Sequence, residues 1–165
     1  REKIKEALKI MMSGDEKTLN KFIQEFRDEF MKLPPEDIAY PRSCNGVQKF
    51  RGESQLFAKG APIHVKGAIL YNHLVNKQKL ENKYPLIQEG DKIRFLHLRQ
   101  PNVFQSSAFS FMTEVPKELD ICSKIDYDMQ YEKSFVEPLK VITEKMNWLI
   151  DSSYGVQGTL EEFFG

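Results

Sequence analysis

The chain has 165 residues, 41% hydrophobic and 29% charged, with 24 basic and 24 acidic side chains and no net charge. That reads as a soluble globular domain, or one domain with a small appendage, and no apolar run approaches the length of a membrane span. Cys44 and Cys122 lie far apart and His64, His73 and His97 form no i,i+4 pair, which argues against a zinc site and for reduced, structural thiols.

Charge is unevenly distributed. Residues 1–40 hold eight basic and nine acidic side chains, residues 41–99 eleven and four, and residues 100–165 five and eleven. A basic middle between neutral and acidic flanks suits a phosphate-binding face. It equally suits a solvated surface that the flanks neutralise in three dimensions. The chain starts at Arg1 without a secretory signal and enters a helical pattern at once, so an excerpt from a longer protein is expected.

In chain order, Ile4, Ala7, Leu8 and Met11 mark a helix over residues 2–12, broken at Ser13-Gly14-Asp15. Asp15 is placed to cap a second helix with Leu19, Phe22, Ile23, Phe26, Phe30 and Leu33 on one face. Pro34-Pro35 should stop it, because neither can donate a backbone N–H. Residues 37–40 look strand-like, 41–46 form a polar turn, and 47–50 a brief helical turn. A helix is expected from Pro62 to about Lys77, and a charged connection closes at Glu89-Gly90-Asp91, a turn signal. Ile93–Leu98 reads as a strand with Ala108–Met112 as its partner. Pro116–Asp120 suggests a helical turn. Asp126 could cap a long helix to about Asn147, with Phe135, Leu139, Ile142 and Met146 inward and a kink or break at Pro138. Residues 151–158 are small and polar, as in a linker. No internal repeat is present, and mixed helices with few strands and no βαβ rhythm indicate an α+β fold with a small antiparallel sheet.

The last residues carry the sharpest motif. Gln157, Leu160, Phe163 and Phe164 fit the pattern Q-x-x-hydrophobic-x-x-aromatic-aromatic, which resembles the peptide by which replication proteins dock on sliding clamps. One helical turn would put Leu160, Phe163 and Phe164 on one side as an apolar plug, with Gln157 free to hydrogen-bond at the rim. The alternative is that both phenylalanines fold back onto the domain's own core.

The resemblance widens over the rest of the chain. Pro62–Ala68 is similar to the "P-H-V" element of family B DNA polymerase thumbs. Gly90-Asp91-Lys92-Ile93-Arg94-Phe95 stands where that family has "G-D-x-I-x-Y", with Phe95 in place of tyrosine. Ile125–Asp128 and Phe135–Leu139 resemble the last thumb helix. Glu29–Glu36, Pro116–Leu119, Lys133–Val136 and the terminal Thr159-Leu160-Glu161 with Phe164-Gly165 narrow the resemblance to the T-even bacteriophage type. Two positions depart: Glu162 stands where related tails can carry an aromatic, and Glu137 where some relatives are basic.

The resemblance implies a mostly helical thumb over residues 1–150, then a flexible linker and clamp-interaction peptide over 151–165. A thumb holds primer-template duplex through phosphates and the sequence-tolerant minor groove. The resemblance implies that the loop Arg42-Ser43-Cys44-Asn45 reaches the primer side. Lys49, His64 and Lys66 are expected to line the same groove, joined by Lys133 from the long helix. Each lysine could equally be an ordinary solvated side chain, and His64 a neutral histidine bonded to backbone at a helix start. Nucleotidyl transfer needs converging carboxylates and divalent metal, in this family magnesium in the palm; the palm strings "D-x-x-S-L-Y-P" and "Y-G-D-T-D" do not occur here. Asp126 and Asp128 are better explained as helix caps, and no catalytic residue or cofactor is expected in the chain itself. The expected partners are primer-template DNA, a sliding clamp and the other polymerase domains, in the cytoplasm of an infected bacterium. The competing readings are a stand-alone interaction module that recruits a clamp, and a small hydrolase with an unseen site.

Overall fold

A computed structural model describes residues 2–52, 56–148 and 150. The order of elements is α1 (Glu2–Ser13), α2 (Glu16–Phe30), α3 (Pro35–Ile38), β1 (Tyr40–Ser43), α4 (Ile63–Lys77), β2 (Lys92–His97), β3 (Ala108–Phe111), α5 (Tyr127–Tyr131) and α6 (Glu137–Thr143). A π-helical segment, Glu132–Val136, joins α5 to α6. The α+β class read from the sequence is the class observed. The described chain forms two compact units: α1 and α2 with the helical stretch from Tyr131, and Pro34–Gln130.

In the first unit the helices follow the periodicity of the sequence. Asp15 caps α2, its side chain accepting from the Thr18 N–H at 2.8 Å and so satisfying one of the free amides of the first turn. Leu19, Ile23 and Phe30 are buried. Phe26 packs edge-on against Phe30, Tyr131 and Phe135, with centroids 5.9, 5.7 and 4.8 Å away. Tyr131 donates its hydroxyl proton to the Ile23 carbonyl, and burial pushes its pKa upward. A ring body in the core with its one polar atom paired is the usual solution for a buried tyrosine.

Pro138 shapes the long helix without ending it. It offers no N–H to the preceding turn and its ring crowds that turn's carbonyl; the wider π segment immediately upstream accommodates both. The extra residue in that turn rotates the inner face. Phe135, Val136, Leu139 and Thr143 are buried, whereas Ile142 is half-buried and Met146 is 40% exposed. The expectation that Ile142 and Met146 point inward is therefore corrected. Asn147 then turns the chain off in the left-handed region at φ 59°, and the Trp148 N–H reaches the Thr143 carbonyl at 3.0 Å, closing the end.

The second unit is a three-stranded antiparallel sheet in the order β1-β2-β3, with α4 packed on it. Tyr40 pairs with Phe95, Arg42 with Ile93, and Leu96 with Phe109. The sequence suggested a strand over residues 37–40, but 37 and 38 belong to α3 and only Tyr40 of these four is in a strand. Pro35 occupies the first turn of α3, where its fixed φ suits a helix and its missing N–H costs nothing, so β1 starts only at Tyr40 and takes in Arg42 and Ser43.

Gly67 lets α4 lie on β3. A Cβ at this position would meet the Ser110 side-chain oxygen, the Ser110 nitrogen at 2.7 Å and the Phe109 carbonyl carbon at 2.8 Å. The same contact is locked by Ser110, whose hydroxyl donates to the His64 carbonyl at 2.8 Å. Gly67→Ala should therefore lower stability by about 1–3 kcal/mol, read as a drop in the urea midpoint at unchanged slope. An unchanged midpoint would show that the helix can lift off the strand without cost.

Candidate nucleic-acid interface

The sequence-predicted DNA residues in the second unit lie on β1, on the loop that follows it and on the first turns of α4. Arg42 and Ser43 end β1, both exposed, and the Arg42 guanidinium lies 4.7 Å from the Tyr40 ring centroid. His64, in the first turn of α4, faces them. Burial and the Arg42 charge lower its pKa, against a backbone hydrogen bond at Ser43 that raises it. Burial and the neighbouring guanidinium thus both disfavour the charged imidazolium.

A second group is built on aromatic rings. Lys66 lies over Phe57 at 5.5 Å and Lys49 over Phe50 at 5.2 Å. These rings belong to a short paired stretch, because Arg51 bridges Phe57 and the Ala58 N–H reaches the Phe50 carbonyl at 2.6 Å. A ring face under an ammonium holds the stem and leaves the charge accessible. Among the described residues, Arg42, Lys49 and Lys66 pair with no carboxylate. Asn45 is exposed in the loop between the two groups.

Other cations of the basic middle have structural work. Lys83 contacts Glu118 at 2.7 Å. With the Tyr84 hydroxyl, also 2.7 Å away, it pulls the Glu118 carboxyl down to about 2. Arg94 donates to the Glu36 carbonyl at 2.6 Å and lies over the Phe111 ring. For these two the neutralised or internal reading of the charge pattern holds. Lys133 sits in the first unit, where it pairs with Glu137 at 2.9 Å, the position noted above as departing from basic relatives.

The loop carrying Asn45 and Lys49 is anchored by a residue that the sequence marked only as a turn signal. The Cys44 N–H donates to the Asp91 carbonyl at 2.8 Å, and the Gly90 N–H to the Cys44 carbonyl at 2.7 Å. Beyond Cys44 the anchor is the Glu89 side chain. The Gly46 N–H reaches both its oxygens at 2.9 and 2.8 Å, and the Gln48 N–H reaches Oε1 at 3.2 Å. Gly46 has φ +110°, open to glycine and strained for other residues, and this turn aims successive amides at one anion. Buried Cys44 is pushed up to about 11 by burial and by the nearby Glu89 and Asp91, so it stays a thiol and is not a nucleophile at neutral pH.

Those backbone hydrogen bonds from Gly46, Gln48 and Val47 hold Glu89 below its ordinary 4.5. A depressed carboxyl stabilises the loop above its unfolded pKa, and that stabilisation disappears as pH falls through the folded value. The Gly46 amide proton should therefore titrate in NMR spectra with a midpoint below 4.5. A midpoint at or above the ordinary value would mean that the carboxylate is not bound there.

The described residues hold no cluster of three His, Cys, Asp or Glu side chains fit for a metal ion. Asp126 uses Oδ1 to cap α5, accepting from the Met129 N–H at 3.0 Å. An open cavity of about 710 Å³ beside the loop is lined by residues such as Gln48, Arg51, Asn72, His73 and Gln88, with no carboxylate among its described lining. No helix among the described residues is long and apolar enough to cross a membrane. The clamp-peptide residues Gln157, Leu160, Phe163 and Phe164 lie outside the described residues.

No protein-family model matches the chain. Its sequence does align along most of its length with DNA-directed DNA polymerases. The relationship is to the T-even bacteriophage enzymes. The chain is 26% identical over 168 residues to the DNA-directed DNA polymerase of Enterobacteria phage T4, an alignment covering 99% of this chain and 18% of that protein. It is 28% identical over 145 residues to the DNA-directed DNA polymerase of Escherichia phage RB69, covering 85% of this chain and 16% of the relative. The chain thus spans less than a fifth of the length of these relatives.

Proposed function

We propose that this chain is the thumb region of a family B DNA-directed DNA polymerase, gripping primer-template duplex by its backbone and tethering the enzyme to a sliding clamp through residues 157–164. The observation that carries the DNA half of this reading is that Arg42, Lys49 and Lys66, on β1, the loop after it and α4, pair with no carboxylate among the described residues and lie over aromatic rings; Ser43, Asn45 and His64 lie on the same elements. Those cations neutralise phosphates. Ser43 and Asn45 donate hydrogen bonds to phosphate or sugar oxygens, and His64 lies beside Arg42 in the same surface. Such contacts carry no base preference, which is what a polymerase sliding along its product needs. Lys133 contributes by exchanging Glu137 for a phosphate. Chemistry by the whole protein belongs to carboxylates and divalent metal, magnesium by expectation, in a palm outside this chain, and the setting is the cytoplasm of an infected bacterium.

The double substitution Arg42→Ala with Lys49→Ala in the full-length protein tests the DNA contact. Primer-template affinity should fall, and the slope of log affinity against log salt should flatten by about 0.9 for each lost phosphate contact. An unchanged slope would remove these residues from the interface.

A further inference from the structure

We propose that Glu89 is a positioning residue for DNA binding: its carboxylate holds the loop of Asn45 and Lys49, beside Arg42, in the shape that meets the duplex. This rests on the reading of that loop as a DNA contact. Glu89 is 43 residues from Gly46 in sequence, yet both its oxygens are taken by the Gly46 N–H, and Oε1 also by the Gln48 N–H. Residues 44–46 have no regular structure. Backbone bonds fix the loop at Cys44, and again at Phe50, whose N–H reaches the Gly46 carbonyl at 2.9 Å. Between these points Glu89 supplies the long-range anchor.

A carboxylate beside a phosphate-binding loop has two opposite consequences. Its negative charge repels DNA, an effect that salt screens at the exposed surface. Its hydrogen bonds order the loop in advance, so that binding does not have to. The amide dipoles that converge on Glu89 also absorb part of its charge. With both oxygens engaged at 2.8–2.9 Å, ordering outweighs repulsion. The sign is the test: a carboxylate that only repelled DNA would bind more tightly when removed, whereas an anchor would bind more weakly.

The experiment measures affinity of the full-length protein for a fluorescent primer-template duplex at fixed salt. Glu89→Ala should weaken binding about 10-fold, and Glu89→Gln, which keeps an acceptor oxygen, should recover much of the loss. In the Arg42→Ala, Lys49→Ala background, Glu89→Ala should add little, because the contacts it positions are gone. Leu119→Ala, which removes a core side chain outside the loop, should lower thermal stability without matching the loss of affinity. Unchanged or tighter binding by Glu89→Ala overturns the proposal. So does a loss that simply adds to that of the double substitution, or one that Leu119→Ala reproduces. If the Arg42→Ala, Lys49→Ala protein itself binds like the wild type, the DNA reading of the loop fails, and the positioning role fails with it.

Discussion

Removing residues 157–165 from the full-length protein should abolish its binding to a sliding clamp and leave its unfolding midpoint unchanged. Phe163 and Phe164 stand side by side with Leu160 three residues before them and Gln157 three before that. In one helical turn these apolar side chains share a face. Burying each phenylalanine in a receptor pocket is worth about 1.5–3 kcal/mol. Loss of both therefore costs on the order of 100-fold or more in affinity. Surface plasmon resonance on immobilised clamp, with and without these residues, gives the answer. Equal affinity would refute the motif, and a lowered unfolding midpoint would show that the phenylalanines belong to the core of the fold.

Gln130→Leu should destabilise the chain by about 3 kcal/mol or more. Gln130 is 1% exposed. Its Oε1 accepts from the His97 N–H at 2.8 Å, and its Nε2 donates to the carbonyls of Ile38 at 2.9 Å and Phe95 at 3.2 Å. One amide therefore joins the end of α3 to the middle and end of β2. Leucine fills a similar volume and satisfies none of these groups. Each buried backbone group left without its partner costs about 1–3 kcal/mol. Urea unfolding at neutral pH is the measurement, and a loss below about 1 kcal/mol would mean that water or a shifted backbone replaces the amide.

What could be read from the sequence follows from how local the physics is. The face of α2, its Asp15 cap, the strand at β2 with its β3 partner, and the disturbance at Pro138 all show within a few residues, as periodicity or as the chemistry of a single side chain. The start of β1 was misplaced because Pro35 looks like a stop and acts as a helix start. The inward face was misplaced after Pro138 because a π turn shifts the count by one residue, and periodicity assumes 3.6 per turn throughout. Basic residues of the proposed interface could be named from the sequence around them, but which cations stay available could not. Lys83 and Arg94 look like Lys49 and Arg42 in sequence, and only the fold gives them Glu118, the Glu36 carbonyl and the Phe111 ring. Glu89, Gly67 and Gln130 act on groups 43, 43 and as many as 92 residues away, a separation that leaves no periodic trace.

The most direct test is a cryo-electron microscopy structure of the full-length protein on primer-template DNA. The account predicts Arg42 and Lys49 within hydrogen-bonding distance of duplex phosphates, with Glu89 still holding the Gly46 amide. A duplex that passes over another surface, leaving the start of α4 in solvent, would contradict it.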